Sequence, residues 1–344
     1  MSVDQVIRVE HENVFLPRTR WHELAADHVP LDDLEPRTVW EGRALRSIVQ
    51  GAPVSVVGPP GVGKSSLIAF VCSRLPETHV AFRLPVTGAD DPTSVSVMAS
   101  MALGTALNAI DLENYQHNAL EAARADSTIT QDRQPGFTTG KLGGGPVPAE
   151  INVELGSLRT EHTTHALASD RLAGLDRLIN ILVYHGKYPV FVCEDTEALV
   201  GGSDRSEVIE RFFSGPIRAF LTEVDAPVVI GVQSEIAATS PTFQDLRSRT
   251  TDIDVPGFSD PADALRKIAG QRLADSDTDF SVDDVVHSDA IDALVGFYGE
   301  AGLSLRYTLA VLHSAAAHAA DMASEMISAS HVHLAAAEWR AQRP

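Results

Sequence analysis

The residues with the clearest chemistry form one glycine-rich stretch, Gly58-Pro59-Pro60-Gly61-Val62-Gly63-Lys64-Ser65. Its spacing fits G-x-x-x-x-G-K-[ST], the pattern of a phosphate-binding loop, or P-loop. Glycines let the backbone curl so that successive N–H groups point at phosphate oxygens. The pattern predicts that Lys64 reaches the β- and γ-phosphates of a nucleotide and that the Ser65 hydroxyl binds Mg²⁺. We take all residues from Gly58 to Ser66 as the predicted nucleotide-binding set.

The flanks of this stretch agree with that interpretation. A β-branched run at 54–57 precedes the loop and predicts a buried parallel strand, and apolar positions at a helical period follow over 65–72. Strand, glycine loop and helix are the context in which a P-loop occurs. The alternative, a glycine turn that binds nothing, is disfavoured by the match of all eight positions and both flanks.

Acidic and polar residues end two further predicted strands. Val190-Phe191-Val192-Cys193 runs into Glu194 and Asp195, and the strand predicted at 227–232 runs into Gln233 and Ser234. Carboxylates at a buried strand end are costly to desolvate unless they are used, and in a P-loop site they hold Mg²⁺ or polarise the attacking water. We predict these roles for Glu194 and Asp195. Gln233 is the candidate for contact with the γ-phosphate or the water, and an ordinary helix cap is its alternative.

Three arginines are candidates for contact with a terminal phosphate. Arg247 and Arg249 follow a short predicted helical segment, and either ion pairs within the chain or an arginine-finger role in a neighbouring subunit explains them. The sequence does not choose between these readings. Arg306, in Gly302-Leu303-Ser304-Leu305-Arg306, opens a predicted helix from which it could reach the γ-phosphate.

The order of predicted elements indicates an α/β fold with a parallel sheet, followed by a small all-helical domain. We predict an N-terminal arm over 1–37, an α/β nucleotide-binding domain over 38–275 with an insert at about 127–165, and a helical lid domain over 276–344. Helix 206–222 should be disturbed at Gly215-Pro216, and the last strand should cover 253–256. His331 and His333 are taken as surface residues.

Composition limits the cellular setting and the partners. The chain of 344 residues has a net charge of −20, which disfavours a broad nucleic-acid surface without excluding a local one. No apolar run reaches the ~18 residues of a membrane span, and the N-terminus lacks a signal pattern. We expect a cytoplasmic protein in which Cys72 and Cys193 are buried reduced thiols.

In this order the motifs resemble those of an AAA+ P-loop ATPase over about residues 38–340. Gly58 to Ser65 looks like Walker A, Val190 to Asp195 like Walker B, Gln233 or Ser234 like sensor 1, Arg247 or Arg249 like the arginine finger, and Arg306 like sensor 2. The stretches 246–273 and 302–306 are similar to origin-recognition initiators, with transposon target-selection and STAND ATPases as related alternatives. The resemblance implies ATP and Mg²⁺ as cofactors and a homo-oligomer.

Three departures from the family qualify what the resemblance implies. Walker B usually reads Asp-Glu, whereas this chain has Glu194-Asp195, so hydrolysis is expected to be slow or to use Glu197. Gln233 is longer than the usual sensor 1 residue. Initiators carry a winged-helix domain after the lid, and we expect none here because the sequence ends at Pro344.

The sequence therefore predicts an ATP-dependent, oligomerising molecular switch or motor that acts on a protein partner. The alternative is a non-hydrolysing module that is gated by a bound nucleotide. A DNA-associated role, or a role in defence against mobile elements, rests on family analogy alone.

Overall fold

The structure of the chain is a computed structural model that describes residues 3–18, 20–34, 39–86, 91–109, 168–184, 186–196, 199, 205–255, 257–276 and 280–342. The insert predicted at 127–165 and the candidate Glu197 lie outside the described residues. The chain divides into two compact units, and each is described by itself. The sheet-bearing unit comprises Gly42–Val57 and Val71–Asp254, and the second unit comprises Met1–Glu41, Gly58–Phe70 and Val255–Pro344.

Five strands form one sheet in the order β2-β3-β4-β1-β5. Strand β2 pairs in parallel with β3, β3 with β4, and β1 with β5. The predicted α/β fold with a parallel sheet is confirmed. The strands are β1 Val54–Gly58, β2 His79–Pro85, β3 Tyr188–Glu194, β4 Val228–Gln233 and β5 Thr251–Asp254.

Aromatic side chains fill the core of the sheet-bearing unit. The ring centroid of Phe191 of β3 lies 5.8 Å from that of Phe82 of β2. It lies 5.9 Å from the ring centroid of Phe220, in an edge-on arrangement. Offset and edge-on ring pairs add to the stability that apolar burial supplies. The described helices that follow the P-loop helix in this unit are Val95–Ala109, Ala168–Tyr184, Arg205–Phe212, Arg218–Glu223, Ser234–Thr239 and Pro241–Arg247.

The disturbance predicted at Gly215-Pro216 is a π-helical turn, Phe213–Ile217, between two α-helices. Proline has no N–H and its ring clashes with the preceding turn, so the regular α-helical ladder is interrupted at Pro216. Gly215 accommodates a close neighbour, because a Cβ there would lie 3.1 Å from the Thr93 carbonyl oxygen.

The last strand begins two residues earlier than the apolar pattern predicts. β5 covers Thr251–Asp254, whereas the sequence indicates 253–256. The extra residues are polar and find partners in the sheet-bearing unit: the Thr251 and Ser47 hydroxyls are 2.8 Å apart, and the Ser55 hydroxyl donates to Asp252 at 2.9 Å. Side-chain hydrogen bonds replace apolar burial here, so hydrophobicity alone misses the strand start.

The second unit is helical. Its described helices include Val3–His11, Trp21–Ala26, Leu31–Leu34, Pro261–Asp275, Val282–Val285, Ser288–Glu300, Leu305–Asp321 and Ala329–Gln342. The sequence left the first three unassigned. Val6 and Val9 of the first helix are buried in the same apolar cluster as Leu312. Packing on helix Leu305–Asp321 therefore orders the N-terminal segment.

One histidine prediction in this unit is wrong. His331 is buried, and its Nδ1 accepts from the Ser328 N–H at 3.0 Å, whereas His333 is exposed as expected. His331 thus accepts a hydrogen bond from the residue three positions earlier, at the start of its own helix. An apolar pattern in the sequence does not indicate such a contact.

Candidate functional site

The P-loop connects a buried strand to a helix within a few residues. β1 ends at Gly58 and the P-loop helix, Lys64–Ser73, begins at Lys64. Gly61 and Gly63 have φ values of +74° and +107°, in the left-handed region that glycine occupies without a steric cost. These two residues let the backbone curl as a phosphate-binding loop requires.

Gly58 is confined by its neighbours. A Cβ at this position would lie 2.7 Å from the Val255 carbonyl oxygen and 2.9 Å from the Val62 side chain. Both distances are shorter than normal van der Waals contact, and one of them is to backbone. Glycine is therefore required where the strand turns into the loop.

Lys64 is held against the loop that precedes it. Its ammonium donates to the Gly58 carbonyl at 3.0 Å and to the Pro59 carbonyl at 2.8 Å, and the residue is only 8% exposed. Hydrogen bonds to two carbonyls compensate for much of the desolvation of the charge. The positive charge thus lies inside the loop, at the start of a helix whose dipole also favours anions.

The start of helix Leu305–Asp321 lies directly on the P-loop. The Arg306 N–H donates to the Gly61 carbonyl at 3.3 Å, and a Cβ at Gly61 would lie 2.3 Å from the Ser304 hydroxyl. Ser304 is the N-cap of that helix and accepts from the Tyr307 N–H at 3.4 Å. The structure therefore brings Arg306 to the P-loop through its backbone, while its side chain is exposed.

Ser65 and Ser66 differ in their surroundings. Both are partly buried in the first turn of the P-loop helix. The Ser66 hydroxyl donates to the Leu24 carbonyl at 2.9 Å and lies 3.0 Å from Nδ1 of His28, so it is engaged inside the protein. The predicted role of Ser65 on Mg²⁺ stays a prediction.

The two acids at the end of β3 share one arginine. Glu194 is 1% exposed and forms an ion pair with Arg83, whose Nη2 also lies 3.3 Å from Asp195 Oδ2. Asp195 has a φ of +61°, a left-handed conformation that aspartate tolerates better than most residues. The guanidinium offsets part of the negative charge of the two carboxylates and fixes their direction.

Arg83 was missed by the sequence reasoning. It lies on β2, where the strand register sets it opposite Val192 of β3, two residues before Glu194. The available signal was a single charged residue within the otherwise apolar run Val80-Ala81-Phe82-Arg83-Leu84. A partly buried charge of that kind is stabilised by a partner, and the acids of the next strand provide it.

Gln233 ends β4 and precedes helix Ser234–Thr239, and it is 7% exposed. The carboxyl ends of β3 and β4 lie at one edge of the sheet, because these strands are parallel neighbours. Gln233 and the acid pair are therefore at the same edge. At this edge Thr196 is buried and donates to the Gly231 carbonyl at 3.0 Å.

The structure separates the two arginines that the sequence left open. Arg247 pairs with Asp252 and, at 2.6 Å, with Asp254. The hydrogen bond to Asp252 raises the pKa of Arg247 above its ordinary value, and the charges of both aspartates add to the shift. Arg249 is exposed. Arg247 thus forms ion pairs within the chain, and the arginine-finger role stays a hypothesis for Arg249.

The two cysteines are free, buried thiols. Burial raises the pKa of each to about 12, and the negative charge of Glu194 adds to the shift. A thiol with such a pKa is not a nucleophile near neutral pH. Among the described residues, no group of three or more His, Cys, Asp or Glu side chains is arranged to hold a metal, and no helix there is long and apolar enough to cross a membrane.

No family model matches the sequence, and no curated protein matches it. Among solved structures, the ORC2 protein of Aeropyrum pernix in its ADPNP–ADP complexes is similar with a TM-score of 0.50 at 16% identity, over 94% of this chain and 71% of that chain. The ADP form of the same protein is similar with a TM-score of 0.49 at 15% identity, over 89% of this chain and 68% of that chain. The Walker-type ATPase PABY2304 of Pyrococcus abyssi has a TM-score of 0.42 at 12% identity, over 92% of this chain and 76% of that chain.

At this identity the likeness to the ORC2 protein concerns the fold. The chain shares the α/β fold of the ORC2 protein, with a parallel five-stranded sheet and a helical region. The resemblance stated from the motifs is confirmed at the level of the fold.

The contact between Gly61 and Ser304 makes a testable prediction about stability. Gly61→Ala forces an alanine into the left-handed region, which lowers the free energy of unfolding by about 1–2 kcal/mol. The clash of its Cβ with Ser304 lowers it by about 1–3 kcal/mol more. Rotation of Ser304 away from the clash would break its N-cap bond. The matched control is Gly51→Ala, because Gly51 has a φ of +79° and open space around it. Thermal unfolding should show a larger loss for Gly61→Ala, and equal losses would contradict the close contact.

Proposed function

We propose that this protein is an AAA+ ATPase that binds Mg·ATP through its P-loop and acts as a nucleotide-dependent switch. The observation that carries the proposal is the P-loop itself, with two left-handed glycines and a lysine ammonium held inside the loop. Such a loop offers N–H donors and a positive charge to phosphate oxygens. The ORC2 protein of similar fold was solved with ADPNP and ADP, which supports a nucleotide as the ligand.

Lys64→Ala tests nucleotide binding. Loss of the ammonium should weaken ATP affinity at least about a hundredfold, since a charge-assisted contact to phosphate is lost and its carbonyl partners remain. Lys187→Ala is the matched control, because Lys187 also donates to a carbonyl, that of Glu77 at 3.0 Å, on an exposed surface. Affinity is measured by calorimetry at fixed Mg²⁺. Unchanged affinity of Lys64→Ala, with an intact fold, would refute the assignment.

Ser65, Glu194 and Asp195 would supply the ligands for the Mg²⁺ ion. Hydroxyl and carboxylate oxygens are the hard donors that this ion prefers, so the donor set fits. Such an ion would offset the negative charge of the phosphates. The ion pair with Arg83 holds the Glu194 and Asp195 side chains in fixed directions and reduces their net negative charge. This arrangement supports slow hydrolysis.

The non-hydrolysing module is the second candidate, and the shared Arg83 favours it, because its guanidinium already engages an oxygen of each acid. Turnover separates the two functions. If the protein hydrolyses ATP, Glu194→Gln or Asp195→Asn should lower the steady-state rate about a hundredfold while ATP remains bound. Glu207→Gln, at an exposed helical site, is the control. Fewer than one phosphate released per wild-type protein would support the module instead.

Assembly and partner choice are the finer parts of the proposal. We infer that Arg249, exposed after helix Pro241–Arg247, serves a neighbouring subunit as an arginine finger in a homo-oligomer. The partner is expected to be a protein, since a net charge of −20 disfavours a broad nucleic-acid surface. A cytoplasmic location remains an expectation from the sequence.

Arg249→Ala should reduce turnover by about 10³-fold without changing ATP affinity, because a finger stabilises the transition state. Wild-type turnover per subunit should rise with protein concentration, and that rise should be lost in the variant. Arg247→Ala is the contrasting change: it removes two ion pairs within the chain, so it should lower the unfolding temperature. Turnover that is independent of protein concentration and unaltered in Arg249→Ala would contradict the finger role.

A further inference from the structure

The middle of the P-loop is contacted by the start of helix Leu305–Asp321. The Arg306 N–H donates to the Gly61 carbonyl at 3.3 Å, and a Cβ at Gly61 would lie 2.3 Å from the Ser304 hydroxyl. Ser304 is 3% exposed, so its side chain lies inside this contact. The loop and the helix start belong to the same compact unit of the chain.

Other contacts hold the two ends of the P-loop. At the end of β1, the space beside Gly58 is closed by the Val255 carbonyl. At the start of the P-loop helix, the Lys64 ammonium donates to two carbonyls of the loop. Gly61 lies three residues from Gly58 and three residues from Lys64. The conformation of the loop at Gly61 therefore depends on the contact with Ser304 and its helix more than on the contacts at either end.

The P-loop backbone and Ser304 together cap this helix. The first N–H groups of a helix have no acceptor within the helix. The Ser304 hydroxyl accepts from the Tyr307 N–H at 3.4 Å, and the Gly61 carbonyl accepts from the Arg306 N–H. The serine cap fixes the first turn and so directs the Arg306 N–H at the loop. Loss of the hydroxyl would loosen both the first turn and its bond to Gly61.

A strained turn brings Ser304 to the loop. Gly302 and Leu303 have φ values of +68° and +63°, and the left-handed region is unfavourable for leucine. The Leu303 N–H donates to the Tyr298 carbonyl at 2.9 Å, and a Cβ at Gly257 would lie 2.6 Å from the Leu303 side chain. Such strain persists only where surrounding contacts impose it, and it is concentrated at functional sites. The turn therefore supports a functional role for the contact that it creates.

We propose that Ser304 is a positioning residue for phosphate binding: its contact with Gly61 holds the middle of the P-loop in the curled conformation before a nucleotide arrives. This inference rests on the proposed nucleotide binding. A loop that is already curled loses less conformational freedom on binding, so the phosphates are bound more tightly. The gain applies to every nucleotide whose phosphates lie in the loop, ADP as well as ATP. A residue that acted on the terminal phosphate would favour ATP alone.

Ser304→Gly separates the contact with the loop from the capping of the helix. It removes the hydroxyl, but glycine is itself an acceptable N-cap residue, so the helix start should be retained. Ser240→Gly is the matched control, because Ser240 is 1% exposed and caps helix Pro241–Arg247 by accepting from the Phe243 N–H at 3.1 Å. Ser304→Ala also removes the hydroxyl without adding backbone freedom, and it replaces Ser304→Gly if that variant does not fold.

The first measurement is the calorimetric affinity of the full-length protein for ADP and for the non-hydrolysable ATP analogue ADPNP, both with Mg²⁺. Ser304→Gly should bind each nucleotide about tenfold more weakly than the wild type, the scale of one lost hydrogen bond. The ratio of the two affinities should stay unchanged, and Ser240→Gly should match the wild type. A loss confined to ADPNP, an equal loss in Ser240→Gly, or wild-type affinities in Ser304→Gly would overturn the proposal.

The second measurement is amide hydrogen exchange of the same proteins without nucleotide. The Val62 N–H donates to the Pro59 carbonyl at 3.4 Å, so its exchange reports the curl of the loop. In Ser304→Gly the Val62 and Arg306 amides should exchange about tenfold faster, and in Ser240→Gly they should not change. Unchanged exchange in Ser304→Gly would overturn the proposal. If the wild type binds neither nucleotide, the proposed function fails, and this exchange then decides separately whether Ser304 holds the loop.

Discussion

The P-loop leaves no space for a side chain at Gly61, and the P-loop part of the candidate site depends on this constraint. A Cβ there would meet the Ser304 hydroxyl at 2.3 Å, while the Arg306 N–H bonds the Gly61 carbonyl. The beginning of helix Leu305–Asp321 is thus fixed to the loop that carries Lys64. A change in the P-loop conformation on nucleotide binding would therefore be transmitted to the start of this helix. In this way a small local movement can act as a switch.

The acids at the end of β3 and the lysine in the loop follow one physical rule. Each is a charge with little exposure, and each has partners of the opposite charge or dipole: Arg83 for Glu194 and Asp195, and the Gly58 and Pro59 carbonyls for Lys64. Such pairing holds a group in place at a modest cost in stability. The His28–Glu41 pair extends the same rule to the N-terminal segment.

Local patterns made the fold and the P-loop predictable, whereas contacts between distant residues were beyond the sequence. Glycine spacing indicated the loop, and apolar runs indicated the strands. The contacts of Arg83, Ser304 and His28 could not be predicted from the sequence, because their partners lie far along the chain. One charged residue within a strand tells that a partner exists, but only the register identifies it.

The most direct test of the account is hydrogen–deuterium exchange of the full-length protein with and without Mg·ATP. The account predicts that the amides of Gly61 to Ser65 become strongly protected by ATP, because phosphate oxygens accept their hydrogen bonds. The amides at the start of helix Leu305–Asp321 should also change, since Ser304 and Arg306 contact Gly61. Exchange in the P-loop that is identical with and without saturating ATP would contradict the central claim.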